Sequence, residues 1–536
     1  MHSYKKIISS IVTIILITSF FSGCIDDVFS NDETDFTIHT WYVYDYEGFP
    51  CLSLVFTCSD LVTINLYNPS DILLDSDSFL EDENKEAFFH LASYGKTVYA
   101  GDYQIKVLDN NNKQVYEKDF SLTGLNLTIL SCDQKWWKHD LYTDDYSLVG
   151  LNLRISNNGE TPVYPYNIDV SMDSSIYPGI VIPDVVLPGR TKELDCFVYK
   201  PGNPVNDMFS LKVEDRYGTT LATGSFDVSV QDNVDDEEFR WNYKNSPYSV
   251  KLPMLDFYYD YYSSIDRYQH EDYCLYIFDL LDDLYLDMII NDCIMSDFVS
   301  NNDVEKINYA ASFVQYLDYK KDSLTDDSYE YPRYPIETLF NNGGDCEDKA
   351  ILTACILNHL GYDVTLIRLT NHMAVGVNLS TDLLPAYDQY INNYYYLETT
   401  TEGKTVGYVP KEHRNPAEVD IFNVSNRPLL THNWDNNLLT IFTNTVIGDY
   451  VKVIVYVENI GIKTATNVKV EGVFYTETGV EINAENEIIS SIKPGSKEKV
   501  ILTINIPKGR TTLFKTRLYL DKEVVDIRES ASTFPV

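Results

Sequence analysis

Basic residues are scarce in this chain, and their scarcity limits the partners that it can bind. The sequence has 41 Lys and Arg against 81 Asp and Glu, which gives a formal net charge of −40. Recognition of phosphate groups needs clustered Lys and Arg, and no such cluster is seen beyond the extreme N-terminus. We therefore expect neither nucleic acid nor another polyanion as a partner.

Histidine is also scarce, with nine residues in a chain of 536. Six of them are scattered without the spacing of metal ligands, so we expect no structural metal and no cofactor. These six are His39, His90, His139, His270, His413 and His432.

The first 24 residues differ from the rest of the chain. Lys5 and Lys6 precede an apolar run, Ile7–Phe21, which ends in Ser22-Gly23-Cys24. This pattern is typical of an export signal, and the small residues before the cysteine resemble the lipobox of secreted lipoproteins, in which Cys24 would carry the lipid. An uncleaved transmembrane anchor is the alternative, since the run approaches the length of a membrane span. Either segment predicts a protein anchored on the outer face of the cell membrane.

Eight cysteines remain beyond the export segment, and an oxidising compartment would allow them to pair. The leading candidate is an inter-sheet disulfide between Cys132 and Cys196, which fall in one predicted β-rich block. Buried thiols without a bridge are an equal alternative for every pair. The weaker pairings are Cys51 with Cys58 and Cys274 with Cys293.

The length predicts three or four domains, and short β-rich runs separated by turn residues define three of them. The predicted blocks are 35–124, 125–232 and 436–536, each with the spacing of an antiparallel sandwich of roughly 100 residues. The last two share an order of strand, Asn-x-Gly turn, strand, Pro-Gly and strand. They resemble the immunoglobulin-like accessory modules of surface proteins.

Residues 241–420 have a different pattern. Apolar residues recur at three- and four-residue steps in "CLYIFDLLDDLYLDMIINDCI" and "DVEKINYAASFVQYLDYKK", which indicates amphipathic helices. Strand-like runs follow in "DVTLIRL", "HMAVGVNL" and "YYYLETT". Helices followed by strands predict a central α+β domain flanked by all-β sandwiches. The insertion "STDLLPAYDQYINN" is either a lid over a groove or a long hairpin loop.

The stretch "GGDCEDKAILTACILNHLG" places Cys346 at the head of a buried helix. Asp345 is a favoured N-cap and Gly361 a left-handed stop. The free N–H groups and the dipole of the helix end favour a thiolate, so we expect a lowered pKa for Cys346. The Gly343-Gly344 pair allows another segment to approach closely.

A nucleophilic thiol needs a base, and helix geometry excludes His359, which lies about 20 Å along the same helix axis. His372 opens a strand on which Ala374 and Gly376 share its face, so a helix N-terminus or a substrate could pack closely there. Glu398 follows on the next strand. The expected roles are nucleophile for Cys346, general base and acid for His372, and orienting carboxylate for Glu398.

The segments "GGDCEDKAILTACILNHLGYDV", "NHMAVGV" and "YYYLETT" resemble the core motifs of the transglutaminase-like superfamily. The resemblance implies a papain-like α+β fold and acyl transfer through a thioester on Cys346, with Glu398 where many members have Asp. It does not extend to calcium regulation, because no calcium-loop signature is visible. The expected oxyanion donors are the backbone N–H of Cys346 and the side chain of Gln315.

Three hypotheses of function follow. The first is an exported cysteine peptidase, amidase or acyltransferase, most simply one that hydrolyses peptide or amide bonds of peptides or proteins at the cell surface. The second is a catalytically silent binding or adhesion protein that uses the same groove, with the sandwiches as spacers. The third is a scaffold for an envelope complex. The combination of Cys346, His372 and Glu398 favours the first.

Overall fold

The structure is a computed structural model that describes residues 35–534, apart from 81, 140–143, 266, 268–271, 323–330, 385–388, 425–426, 436–439, 443–448 and 531–532. Cys24 and the predicted export segment lie outside the described residues. The chain is rich in β-strand, and its α-helices are concentrated between Asp256 and His359. Across the described ranges, no helix has both the length and the apolar character that a membrane crossing requires.

The N-terminal unit has seven strands in two sheets. One sheet has the order β1-β2-β5 and the other β4-β3-β6-β7. Alternate residues of β3, such as Ile64 and Leu66, face a shared core and pair with Val107 and Ile105 of β6. The strands are β1 (Phe36–Tyr46), β2 (Phe49–Cys58), β3 (Val62–Tyr67), β4 (Leu73–Phe79), β5 (Asp82–His90), β6 (Gly101–Asp109) and β7 (Gln114–Leu122).

The second unit is built from one seven-stranded sheet. Its strands are β8 (Leu127–Lys138), β9 (Tyr146–Asn157), β10 (Asn167–Met172), β11 (Ser175–Val181), β12 (Thr191–Val198), β13 (Met208–Glu214) and β14 (Thr220–Asp227), in the order β14-β13-β10-β11-β12-β9-β8. β11 pairs with β10 along its whole length but with β12 only at Gly179–Val181. It thereby joins two layers, and the edge strands β14 and β8 contact each other across the core.

The central unit begins with a hairpin of β15 (Asp236–Tyr243) and β16 (Ser246–Pro253), whose Phe239 and Trp241 are buried in the core of this unit. Five α-helices of the described ranges follow: α1 (Asp256–Ser264), α2 (Asp283–Met288), α3 (Asp303–Gln315), α4 (Pro335–Phe340) and α5 (Cys346–His359). The short helices are a 3-10 turn at Tyr273–Tyr276, a π-helical turn at Ile289–Ile294 and a 3-10 turn at Lys411–His413.

Six strands complete the central unit: β17 (Asp318–Tyr319), β18 (Gly343–Gly344), β19 (Val364–Leu369), β20 (His372–Asn378), β21 (Tyr394–Leu397) and β22 (Val419–Val424). The last four form an antiparallel sheet of order β21-β20-β19-β22. Helix α5 is apolar on nearly all sides, and it packs against β19, β20, α3 and α4. It is the centre of the largest core of the protein.

The C-terminal unit has two four-stranded sheets. In one, β25 pairs with β23, β24 and β28; the other has the order β27-β26-β29-β30. The strands are β23 (Leu430–Trp434), β24 (Thr440–Phe442), β25 (Tyr450–Asn459), β26 (Ala465–Tyr475), β27 (Glu481–Ile492), β28 (Ser496–Asn505), β29 (Leu513–Leu520) and β30 (Glu523–Glu529).

The repeat seen in the sequence corresponds to the same buried corner in the second and C-terminal units. Asn157 donates to the carbonyls of Thr161 and Val186, and its Oδ1 accepts from the N–H of Gly159. Asn459 makes the equivalent bonds, to the carbonyls of Lys463 and Ile492 and from the N–H of Gly461. Both side chains are fully buried, so each satisfies backbone groups that a tight corner leaves without partners.

The N-terminal and C-terminal units contact each other directly. Lys499 Nζ lies 2.5 Å from Asp75 Oδ2, Lys452 pairs with Asp77, and Phe49 packs on the ring of Tyr456. The chain is therefore folded back on itself rather than extended as a string of spacers.

The predicted disulfide between Cys132 and Cys196 is wrong. Neither cysteine is bridged in the structure. They lie on β8 and β12, which are separated by β9 in one sheet, and two strand spacings amount to about 9.6 Å. Disulfides need Cα atoms within about 7 Å. Cys274 and Cys293 are also unbridged, and Cys51 and Cys58 lie at opposite ends of β2.

Candidate active site

Two glycines allow helix α5 to begin against strand β17. Gly343 has a φ of +146°, and a Cβ there would lie 2.3 Å from the carbonyl oxygen of Asp318. A Cβ on Gly344 would lie 2.4 Å from the Cβ of Asp348. Side chains at these positions would break the parallel pairing of β17 with β18, which places Tyr319 opposite Gly344.

A capping box and a buried ion pair fix the first turn of α5. The backbone N–H of Asp345, the N-cap, donates to Asp348 Oδ2 at 3.2 Å. Asp348 is fully buried and pairs with Arg333, whose backbone N–H donates to Asp348 Oδ1 at 2.8 Å. The predicted N-cap and the left-handed stop at Gly361, with a φ of +85°, are confirmed. Cys346 is held at the first position of the helix.

The thiol of Cys346 is partly buried and donates to a carboxylate. Its Sγ lies 3.1 Å from Oε2 of Glu347, and it also accepts from the backbone N–H of Met373. Burial raises the pKa of the Cys346 thiol above its usual value, Glu347 and Asp345 raise it further, and the Met373 N–H only opposes the shift. The expectation of a lowered pKa is therefore wrong for this arrangement, because burial, together with the nearby carboxyl groups, outweighs the helix end.

Glu347 and Asp345 form a carboxyl pair beside the thiol. Burial raises the pKa of Asp345 to about 9, and the hydrogen bond and charge of Glu347 contribute. Asp345 therefore holds a proton at neutral pH. Burial raises the pKa of Glu347 as well, and the hydrogen bonds from Asp345 and Cys346 oppose that rise. Sequence reasoning missed Glu347, although its position directly after the cysteine on the first helical turn was a usable signal.

A buried carboxylate holds the ring of His372. The Nε2 of His372 lies 3.1 Å from Glu398 Oε2, which also accepts from the hydroxyl of Tyr396 at 3.0 Å. Glu398 Oε1 accepts from the N–H and the hydroxyl of Thr400, at 2.9 and 2.6 Å. Burial opposes the charge, but the bonds from His372 and Thr400 prevail and lower the pKa of Glu398 to about 2. The charged carboxylate of Glu398 is thus stable, and Nε2 of His372 is the donor in the hydrogen bond between them.

The free nitrogen of His372 is Nδ1, which makes no hydrogen bond to any other residue that the structure describes. The helix lies on the opposite face of β20 from the one expected: Met373, Val375 and Val377 pack in the core around α5, whereas Ala374 packs with Tyr396. The sulfur of Cys346 still reaches the amide of Met373, the residue after His372. The face of His372 is therefore left to other groups or to a substrate.

One such group is His413, which sequence reasoning did not connect to the site. Its ring is parallel to that of His372, with centroids 4.5 Å apart and planes within 4°. The hydroxyl of Tyr390 donates to the His413 carbonyl at 2.7 Å. Burial lowers the pKa of His413, and the charge of His372 lowers it further. His413 covers one face of the His372 ring, and no local sequence signal marks a contact across 41 residues.

In the part of the chain that the structure describes, three groups of side chains place possible metal-ligand atoms within 4.8 Å of one another. The first is His372, Glu398 and His413, but in-plane lone pairs of parallel rings do not converge on one ion as tetrahedral zinc requires. This arrangement fits a hydrogen-bonded pair with a stacked neighbour better than a metal site. The other groups are Asp345 with Cys346 and Glu347, and Asp322 with Asp345 and Asp348, the latter neutralised by Arg333.

Gln315 does not act as the expected oxyanion donor. Its Nε2 donates to the carbonyls of Glu398 and Lys404, both at 2.8 Å, so both of its N–H groups are occupied. The residue is buried at the end of α3, where Lys349 of α5 donates to the carbonyls of Gln315 and Leu317. Gln315 is a tether that holds the segment after β21 against the helices. The backbone N–H of Cys346 remains as an expected donor.

Comparisons with known proteins identify no family for the chain. No family model matches it, and no curated protein matches it. The chain is similar to the crystal structure of red sea bream transglutaminase, at 11% identity over 70% of this chain and 79% of that one, with a TM-score of 0.15.

Glycosidases are among the other similar structures. A calcium-binding mutant of Bacteroides uniformis beta-glucuronidase 2 matches at 12% identity over 31% of this chain, with a TM-score of 0.16, and the chain spans 24% of its length. Amycolatopsis orientalis exo-chitosanase CsxA matches at 8% identity over 90% of this chain and 76% of its own, with a TM-score of 0.15. Scores this low carry no argument about activity.

Proposed function

We propose that the protein is a cysteine acyl-transfer enzyme of transglutaminase-like type that hydrolyses peptide or amide bonds, with Cys346 as nucleophile, His372 as base and Glu398 as orienting carboxylate. The observation that carries the proposal is the His372–Glu398 pair, a carboxylate with four hydrogen bonds that holds an imidazole at the start of the strand touched by the thiol. A carboxylate so completely paired fixes the ring and its tautomer.

The proposed mechanism depends on which ring nitrogen of His372 carries the proton. With Nε2–H donated to Glu398, Nδ1 carries the lone pair. In this mechanism the Cys346 thiol turns away from Glu347 and gives its proton to Nδ1 as sulfur attacks the carbonyl carbon. The C–S bond forms, and the proton then passes from Nδ1 to the departing amine as the C–N bond breaks. Water attacks the thioester with Nδ1 again as base, which releases the acid and restores the thiol. Since the resting thiol is protonated, transfer to Nδ1 accompanies attack.

The place of action belongs to the same proposal. The export pattern that ends at Cys24 supports a protein anchored by lipid on the outer face of the membrane, where peptides or proteins of the cell surface would be its substrates. A transmembrane anchor would put the same domains on the same side.

The second candidate is a catalytically silent binding protein. The observation that favours it is the hydrogen bond from the Cys346 thiol to Glu347, which stabilises the thiol over the thiolate. In this hypothesis the face of β20 at His372 binds a partner without chemistry.

Two measurements on the full chain separate these functions. Cleavage of a pool of amide-bearing peptides is followed by mass spectrometry with wild type, C346A and H372A, and iodoacetamide labelling of Cys346 is followed against pH by peptide mapping. The enzyme hypothesis predicts cleavage that both variants lose and a labelling profile that H372A shifts. C132A is the matched control, since it removes another partly buried thiol. Absence of cleavage, with a profile that H372A leaves unchanged, would favour the binding protein.

A further inference from the structure

A pocket is lined in part by the residues that follow His413 in the chain. It has a volume of about 560 Å³, and its walls include Gln389, Tyr390, Val409, Arg414, Asn415 and Val419. Arg414 follows His413 in the chain, and Tyr390 is the residue whose hydroxyl holds the His413 carbonyl. The pocket therefore adjoins His413 along the chain, and Tyr390, Val409 and Val419 of its wall pack against the cluster that contains Ala374, on the face of β20 that α5 leaves open.

The charge of this pocket is unusual for the protein. Among the residues that the structure describes, none of those that line the pocket is Asp or Glu, although the chain has 81 of them. A comparable cavity elsewhere is lined by five aspartates: Asp184, Asp195, Asp235, Asp256 and Asp260. Of the described acids close to the pocket in sequence, Asp420 pairs with Arg368, and Glu412 and Glu418 are exposed and do not line it. Asp388, which precedes Gln389, lies outside the described residues.

Arg414 has donors to spare. Its Nε donates to the carbonyl of Val409 at 3.2 Å, which fixes the guanidinium at the wall of the pocket. Its two Nη groups make no hydrogen bond or ion pair to the residues that the structure describes. A guanidinium fixed at one nitrogen and open at the other two is suited to a planar carboxylate.

The residues around Cys346 also disfavour a carboxylate of the substrate, which leaves the pocket at Arg414 as the better place for it. The carboxyl group of Glu347 lies 3.1 Å from the sulfur of Cys346, so a carboxylate that approached the thiol from that side would meet another acidic group rather than a cation. A substrate whose carbonyl lies at Cys346 therefore places an acidic group more favourably toward Arg414.

We propose that this pocket binds a carboxylate of the peptide substrate through the Nη groups of Arg414, so that the enzyme prefers acidic peptides. The inference rests on the proposed function, which supplies the reacting end of the site. The carboxylate is either an Asp or Glu side chain or the C-terminal carboxylate of the peptide, and the amides of Gln389 and Asn415 offer further donors on the pocket wall.

The test compares specificity constants within one pool. Wild-type full chain is incubated with acetylated, amidated Ala-rich octapeptides that carry a single Glu at successive positions, their Gln counterparts, and the Gln set with a free C-terminal carboxylate. Competition measured by mass spectrometry gives the ratio of kcat/KM for each pair. We expect a preference of about fivefold for one acidic position or for the free carboxylate, as for a favourable exposed ion pair.

R414Q should abolish this preference, and R510Q should keep it. Arg510 is an exposed arginine on the C-terminal unit, so its loss changes the net charge equally without touching the pocket. Calorimetry with C346A and the preferred peptide should show the same fivefold loss of affinity in the C346A/R414Q double variant.

Equal rates for Glu and Gln peptides, or equal losses in R414Q and R510Q, would overturn the inference. Cleavage without any preference for acidic peptides would support the proposed function and contradict only carboxylate binding in the pocket. If the acidic peptide binds in a way that depends on Arg414 but wild type does not cleave it, the proposed function would be contradicted and carboxylate binding in the pocket supported.

Discussion

Replacement of Glu398 by Gln tests the His372 pair in both stability and activity. The hydrogen bonds from His372 and Thr400 and the charge of His372 lower the pKa of Glu398 from 4.5 to about 2, and at about 1.4 kcal/mol for each pH unit this corresponds to about 3.5 kcal/mol of stabilisation. In the Gln variant one oxygen of the carboxylate remains as an acceptor, and an NH2 group replaces the other. That NH2 group is a donor, and it faces groups that also donate. We therefore expect E398Q to lower the free energy of unfolding by about 1–3 kcal/mol at pH 7.

The pH dependence has a definite sign. The pKa of Glu398 is lower in the folded than in the unfolded chain, so its contribution is complete above about pH 4.5 and is lost as pH falls toward about 2. Urea unfolding of wild type and E398Q should differ most near neutral pH, and the difference should shrink through that window. E402Q, an exposed carboxyl on the same loop, is the matched control and should match wild type.

Activity should fall further than stability. An amide at position 398 favours the His372 tautomer with its proton on Nδ1, which removes the lone pair that accepts the thiol proton. We expect kcat/KM to fall on the order of 10³-fold with the protein still folded. A folded E398Q that retains kcat/KM within threefold, with an unchanged pH profile, would refute the reasoning.

Three further changes probe the neighbours of the pair. E347Q removes the charge that raises the pKa of Cys346, so iodoacetamide should label the thiol at a lower pH than in wild type, by about one pH unit; an unchanged profile, as expected for E402Q, would contradict this. H413A should lower kcat/KM about tenfold by freeing the His372 ring, while H413F should restore most of it; equal losses in the two variants would argue against stacking. Q315L leaves two buried carbonyls without donors and should cost about 1–3 kcal/mol in urea unfolding; no loss of stability would contradict its role as a tether.

The parts of the site that the sequence predicted are those with local signals. Asp345 and Gly361 bound α5 because capping and left-handed turns depend on neighbouring residues, and α5 begins at Cys346 as expected. The opening of β20 at His372 likewise follows from alternation along one strand.

What the sequence did not predict depends on contacts between distant segments. The stack of His413 on His372 joins a strand to a later loop, and the bonds of Gln315 join α3 to the segment after β21. Which face of β20 packs against α5 depends on the side of the sheet on which the chain crosses over. The alternation of residues within β20 does not determine that side. The Cys132–Cys196 prediction failed similarly, because strand order in the sheet separates residues that share a block.

The raised pKa of Cys346 disfavours a preformed ion pair between a Cys346 thiolate and a protonated His372. The proposed mechanism therefore starts from the neutral thiol. Catalysis must proceed by proton transfer during attack, so His372 is needed for the acyl-enzyme to form. The most direct measurement is therefore the intact mass of the full chain mixed with an amide peptide and quenched in acid after milliseconds to seconds. The account predicts an added acyl mass, mapped to Cys346 and released by hydroxylamine, in wild type but not in H372A. Peptide cleavage without any acyl mass on Cys346, or equal acylation in H372A, would contradict it.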